Sequence, residues 1–175
     1  MTVEFSIPRI ETERLCLRLP RMDDLEAHAE FRASERSKGV GGPFDYASSF
    51  QHLAGIIGQW HLRGYGRWMV ADKVTDEPYG IVGVYHPEDW PEPEIGWSIY
   101  GNAEGRGIAY EAALATRDFV YRTLGWTRIV SMVMDDNVRS IRLAQRMGCT
   151  QTGVFTHPEL GKLNIWVHPA PEAAA

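Results

Sequence analysis

Apolar residues alternate with others over LCLRL (15–19), as in a half-buried strand, and Pro20 ends the run. The spacing changes after Asp23 and Asp24, either of which can cap a helix to about Ser34 with Leu25, His28, Ala29 and Phe31 near one face. Gly39 to Pro43 reads as a loop. Helical spacing returns from about Ser48 to Arg63 through Phe50, Leu53, Ile57 and Trp60. Two strands, Arg67–Ala71 and Tyr79–Tyr85, flank a turn-rich Asp72–Pro78 that suits a hairpin. A proline-laced acidic loop, His86 to Pro93, leads to a strand over Glu94–Tyr100. A helix follows over about Gly107–Thr123, with Ala109, Ala113, Val120 and Leu124 on one stripe and Gly125 as its stop. Arg128–Met134 is a strand, Asn137 can cap a helix to Met147, and Gly148 ends it. Strands near Gln151–Phe155 and Leu163–Val167 enclose a turn at Pro158–Gly161. The order β-α-α-β-β-β-α-β-α-β-β packs best as a mixed α/β (α+β) sheet with helices on its faces. No repeat or linker divides it, so one domain over 1–168 is expected, with a frayed tail (HPAPEAAA) closing the chain.

Composition narrows the function. A length of 175 residues and 44% hydrophobic content suit one domain with a real core. A net charge of −5 without a long Lys/Arg run argues against a nucleic-acid backbone as main ligand. The opening MTVEFSIPRIETE has no apolar h-region, and no apolar run approaches the ~20 residues of a membrane span, so a cytoplasmic protein is expected. Cys16 and Cys149 lack metal-site spacing and sit in strand-like apolar contexts, as buried thiols do; no metal is expected.

The stretch GNAEGRGIAYEAA (101–113) crowds three glycines ahead of a good helix. Glycine within a helix costs roughly 0.5–1 kcal/mol against alanine, so these serve the turn before it. Such a turn brings main-chain N–H groups, here those near Glu104 to Ala109, up to an anion at the positive end of the helix dipole. A P-loop is excluded, because no G-x-x-x-x-G-K-[ST] exists. A dinucleotide fingerprint fails because its third small residue would fall on Tyr110, and because the turn follows antiparallel-looking strands.

The segment NAEGRGIAYEA (102–112) resembles the acetyl-CoA loop of the GNAT acetyltransferase superfamily, in the branch that includes the Rim-type ribosomal-protein acetyltransferases. NVRSIRLAQRMG (137–148) is similar to that branch's N-x-x-S…G helix, and IETERL (10–15) and the ending His157–Trp166 also resemble it. The likeness covers nearly the whole chain. It implies the GNAT fold, with a mostly antiparallel sheet of about six or seven strands and helices on both faces. It implies acetyl-CoA as co-substrate, its diphosphate held around Glu104, Gly105, Arg106, Gly107, Ile108 and Ala109. The strand at Trp97, Ser98 and Ile99 would lend its backbone to the pantetheine arm. Asn137, by itself a helix cap, would also touch that arm. Ser140 would sit near the sulfur and donate to the departing thiolate.

Acyl transfer to an amine needs a base, since an amine of pKa near 10 costs about 4 kcal/mol to deprotonate at pH 7. Glu94 leads, sharing a strand face with Gly96 and Ser98. Asp135, Asp136 and His86 are its rivals. Two positions depart from the superfamily pattern: Ala144 stands where many relatives carry an acid Tyr, and Asn102 replaces the usual Gln or Arg. Glu88, Asp89, Glu92 and Glu94 form an acidic approach suited to a cationic amine, and a solvated acidic loop is the plainer alternative. Phe44, Tyr46, Trp60, Trp68 and Trp90 are shared between acceptor pocket and core as alternatives, and Arg139, Arg142 and Arg146 share a helix face that could meet the CoA 3′-phosphate. The expectation is an acetyl-CoA-dependent N-acetyltransferase acting by direct attack in a ternary complex. Its acceptor would be a small-molecule amine or a protein N-terminus, with no nucleic-acid or membrane partner and room for a homodimer. A non-catalytic acyl-CoA-binding module or sensor is the alternative.

Overall fold

The computed structural model describes residues 5–171. Eight strands form one sheet in the order β1-β2-β3-β4-β5-β6-β8-β7. They are β1 (Ile10–Glu11), β2 (Leu15–Arg18), β3 (Arg67–Asp72), β4 (Pro78–Tyr85), β5 (Glu94–Ile99), β6 (Val130–Met134), β7 (Thr150–His157) and β8 (Gly161–Val167). Neighbours pair antiparallel except β5 and β6. The expected six or seven strands become eight because two-residue β1, too short for any alternation to show, pairs through Ile10 with Leu17.

Four α-helices flank the sheet: α1 (Leu25–Ala33), α2 (Tyr46–Arg63), α3 (Ile108–Arg122) and α4 (Val138–Arg146). Asp45 starts α2 two residues earlier than expected, accepting from Ser48 N–H at 2.7 Å. Asp24 holds the N-cap position of α1 as expected, but its side chain makes no cap bond there; it accepts from Arg21 N–H and pairs with buried Arg18. Single 3-10 turns at Met22–Asp24 and Gly101–Ala103, and a longer 3-10 segment at Glu35–Val40, occupy stretches that carry no apolar period. Trp60 of α2, Trp68 of β3 and Phe119 of α3 meet edge to face, with ring centroids 4.8–6.2 Å apart. His168, placed at the head of the frayed tail by its sequence, is instead buried: its N–H donates to Ile129 C=O and its Nε2 meets Ser131 Oγ. Pro169 C=O accepts from Tyr121, and residues 172–175 of the expected tail lie outside the described residues.

Parallel β5 and β6 share one register pair, Glu94 with Val130, and diverge beyond it. That fork positions everything that follows.

Candidate active site

Where strands part, main-chain groups lose their ladder partners and need substitutes. Two side chains supply them at the mouth of the fork. Glu94 Oε2 accepts the N–H of Met132 at 2.6 Å, and Ser131 Oγ donates to the C=O of Ile95 at 2.7 Å. Beyond them opens a cavity of about 730 Å³, lined by Trp97, Ser98 and Ile99 of β5 and by Met132, Val133 and Met134 of β6. The 3-10 turn and glycine turn then carry the chain from β5 into α3 along the cavity wall.

Gly105 and Gly107 sit at φ of +71° and +77°, in the left-handed region that glycine enters without penalty. Their requirement is conformational, since a Cβ built on Gly105 would meet nothing within 4 Å. The first helical bond of α3 runs from Glu111 N–H to Gly107 C=O at 3.1 Å. The N–H groups of Gly107, Ile108, Ala109 and Tyr110 therefore have no acceptor within the helix. The turn is braced from outside. Glu111 accepts from Thr12 Oγ1, Arg14 N–H and the Arg14 guanidinium, whose Nη1 also donates to Arg106 C=O at 2.9 Å.

The expected cofactor residues are not equivalent. Glu104 lines the cavity, but its carboxylate is held between Arg36 and Arg139, tying the glycine turn to α4 and to the segment after α1. The Arg106 side chain turns away, reaching Asn102 C=O and the Tyr79 hydroxyl and stacking on Tyr79. Only its backbone remains on the turn. Asn137 caps α4, its Oδ1 accepting from Ser140 N–H at 3.2 Å, while the residue lines the cavity. Both roles expected of it are geometrically available. Ser140 Oγ accepts from Trp97 Nε1 at 3.0 Å, leaving its own hydroxyl proton free to donate. Arg139, Arg142 and Arg146 all border the cavity, Arg146 over the Tyr110 ring.

Glu94 is 6% exposed, with Oε1 accepting from Trp90 Nε1 at 2.8 Å and Oε2 from Met132. Burial raises its pKa to about 7 although these two bonds and the charge of Arg67 favour the ionised form. Its rivals stand elsewhere. Asp135 is engaged by Asn164, Asp136 lies on the exposed turn before α4, and His86 bonds to Tyr65; none lines this cavity. Ala144 is fully buried and contributes no acid. Cys16 and Cys149 are buried thiols, and burial pushes Cys149 up to about 11. Among the described residues no cluster of three or more His, Cys, Asp or Glu is arranged for a metal, and no helix is long and apolar enough to cross a membrane.

The carboxylates of the acidic loop each have a partner, although Glu88 and Asp89 remain exposed. Glu88 pairs with Arg63, Asp89 with His157, and Glu92 with Arg128 through two 3.0 Å bonds. Of the aromatic residues, Phe44 and Trp90 line the cavity, Trp60 and Trp68 are core, and Tyr46 is exposed. Sequence reading missed Arg32, Arg67, His28 and His52, which also line the cavity. Only His28 and Arg32 left a signal, lying four apart and so on one face of α1.

A forked sheet whose cleft ends on helix N–H groups that have no acceptor within the helix offers an extended slot beside an anion-binding geometry. The chain belongs to the GNAT acetyltransferase family: the family description "Acetyltransferase (GNAT) domain" matches residues 14–150. A solved acetyltransferase from Agrobacterium tumefaciens strain C58 is 38% identical, with a TM-score of 0.86, covering 97% of this chain and 98% of that one. The uncharacterized N-acetyltransferase p20 of Bacillus licheniformis is 28% identical, over 86% of this chain and 87% of its own. The [ribosomal protein uS5]-alanine N-acetyltransferase of Escherichia coli K12 is 27% identical, over 83% and 79%.

Proposed function

We propose that this GNAT acetyltransferase moves an acetyl group from acetyl-CoA to a primary amine by direct attack with both substrates bound. The observation that carries the reading is the pairing of the β5–β6 fork with the four unpaired N–H groups opening α3. Together they offer a slot for a pantetheine arm and a cradle for its diphosphate. Acetyl-CoA supplies an acyl group activated as a thioester. Glu94, buried at the fork with a pKa near neutrality, takes the amine proton. Ser140, its oxygen fixed by Trp97, donates a hydrogen bond to the departing sulfur, and water protonates the released thiolate. A thiolate of pKa about 8.5 leaves with little help, so the loss of a tyrosine acid at position 144 is tolerable. The reading keeps the cytoplasmic setting and the single domain over 1–168 expected from the sequence, and leaves room for a homodimer. Ribosomal-protein N-termini, named for the E. coli relative, are one acceptor class to test.

The test is calorimetry with acetyl-CoA on ligand-stripped protein, then CoA-thiol release across amines and N-terminal peptides. Saturable binding with amine-dependent release is expected. Binding without release from any acceptor points to the acyl-CoA-binding module, and no binding at millimolar acetyl-CoA overturns the reading.

A further inference from the structure

Two buried arginines are treated in opposite ways. Arg18, 5% exposed, is saturated with carboxylates: Asp24 takes two bonds of 2.8 and 2.9 Å, and Asp76 a third at 2.7 Å. Arg32, 6% exposed at the end of α1, has no carboxylate within ion-pair reach among the described residues. Its guanidinium carbon lies 3.8 Å from the Phe44 ring centroid, its Nε has no hydrogen-bond partner, and it lines the cavity. Arg67, half-buried at the start of β3, also has no carboxylate within ion-pair reach among the described residues. It sits 4.3 Å over the Tyr85 ring with its Nε unpartnered, and it borders the same cavity. A buried guanidinium without a counter-charge is costly, and two in one cavity repel. The aromatic faces offset only part of that.

The surrounding groups do not supply the missing charge. Tyr100, His28, His52 and Arg67 form one hydrogen-bonded row, with steps of 2.8, 3.0 and 3.3 Å. Arginine only donates, so His52 Nε2 accepts, His52 Nδ1–H donates to His28 Nε2, and His28 Nδ1–H donates to Tyr100. Both histidines are thereby neutral, and burial, reinforced by the charges of Arg32 and Arg67, lowers their pKa values, His28 to about 4. The row positions Arg67 without neutralising it. Of the carboxylates lining the cavity, Glu104 is taken by Arg36 and Arg139, and Glu94 is already bonded to Trp90 and Met132. Even ionised, Glu94 offsets one of the two charges.

We propose that the acceptor amine brings its own anion, a carboxylate or similar oxyanion close to the nitrogen as in an amino acid, and that Arg32 and Arg67 clamp it. This rests on the acetyl-transfer reading and names its substrate class. Polyamines and aminoglycosides, which carry positive charge alone, fit this cavity poorly. The free protein N-terminus fits less well too, since its first carboxylate is spent in a peptide bond.

The test pairs each of a panel of free amino acids with its carboxamide at saturating acetyl-CoA, reading CoA-thiol release from the full chain. The expected result is kcat/KM about 10- to 100-fold higher for at least one free acid than for its amide, the range of a charge-assisted contact. Arg67→Met should raise KM for that acid by a similar factor with the acetyl-CoA Kd little changed; because it also removes a charge that favours ionised Glu94, it should move the midpoint of the pH profile upward for acid and amide alike. Equal or better use of the amides by the wild-type protein overturns the proposal whether or not the variant folds. So does a panel in which no acid exceeds its amide. A weakened acetyl-CoA Kd in folded Arg67→Met also overturns it, by assigning the arginine to the phosphates of CoA. Failure of wild-type protein to bind acetyl-CoA instead removes the transferase reading beneath it.

Discussion

Arg14 and Glu111, 97 positions apart, are joined by one main-chain N–H bond and by a guanidinium contact of 2.7 Å. The same arginine reaches the carbonyl of Arg106. The strand entry and the glycine turn, two motifs the sequence presents separately, are therefore parts of one brace. Without it, the left-handed turn would have to hold its N–H groups in place by φ preference alone.

Removing the brace should loosen the turn. Glu111→Ala is expected to weaken acetyl-CoA binding about 3- to 10-fold and to cost about 1–3 kcal/mol, because Arg14 N–H and Thr12 lose their acceptor. Calorimetry and denaturant titration read the two effects. Burial works against ionisation of Glu111, but the bonds from Thr12 and Arg14 outweigh it and hold its pKa below the ordinary value. Its contribution is complete above the unfolded value near 4.5 and is lost as pH falls through the lowered folded value. In Glu111→Ala that acid-side loss of stability should shrink.

Glu94 titrates in the opposite sense. Its folded pKa, about 7, lies above the unfolded 4.5, so its share of stability declines as pH rises between them. Activity should climb over the upper part of that window, with kcat/KM rising to a plateau above a midpoint near 7. Glu94→Gln should abolish this limb and lower kcat by about 10²-fold or more. The amide offers one acceptor oxygen to the two donors Trp90 and Met132, so a stability loss of about 1–3 kcal/mol should accompany it. A pH profile with the same midpoint in Glu94→Gln would move the base elsewhere.

Ser140→Ala separates hydrogen bonding to the leaving sulfur from cofactor binding. It strands Trp97 Nε1 and removes the hydroxyl facing the proposed sulfur position. The expected loss is about 10-fold in kcat with a near-constant KM for acetyl-CoA, smaller than the ~10²–10⁴ of a typical general acid because a thiolate leaves readily. Steady-state kinetics decides; an unchanged kcat assigns Ser140 to packing.

The contrast between Arg18 and Arg32 has a thermodynamic reading. Arg18→Met leaves Asp24 buried without its partner and should cost about 3–5 kcal/mol. Arg32→Met removes a charge that has no partner, and its Tm should hold or rise. Thermal unfolding of the two variants side by side is the measurement.

The parts legible in the sequence are those decided locally. The period of α3, the glycines before it, the Asn137 cap and the parity of Glu94 each lie within a few residues of what they control. Local chemistry says less about where a long side chain goes. Arg106 belongs to the motif yet folds back on Tyr79, and Glu104 is an ionic tie between α4 and the segment after α1. The cluster of His28, Arg32, His52 and Arg67 is drawn from α1, α2 and β3, and only the packing of those elements brings it to one wall. The partners of the acidic loop, Arg63, Arg128 and His157, are remote in sequence and so not legible from it.

The Glu94 carboxylate, reaching from β5 to the Met132 N–H of β6, is both seam filler and proposed proton acceptor. Basicity and slot width are therefore inherited together: a substitution that retunes the acceptor's proton affinity also resets how far the two strands stand apart. Evolution toward other working pH values would then proceed through the neighbours Trp90 and Arg67, with position 94 itself held fixed.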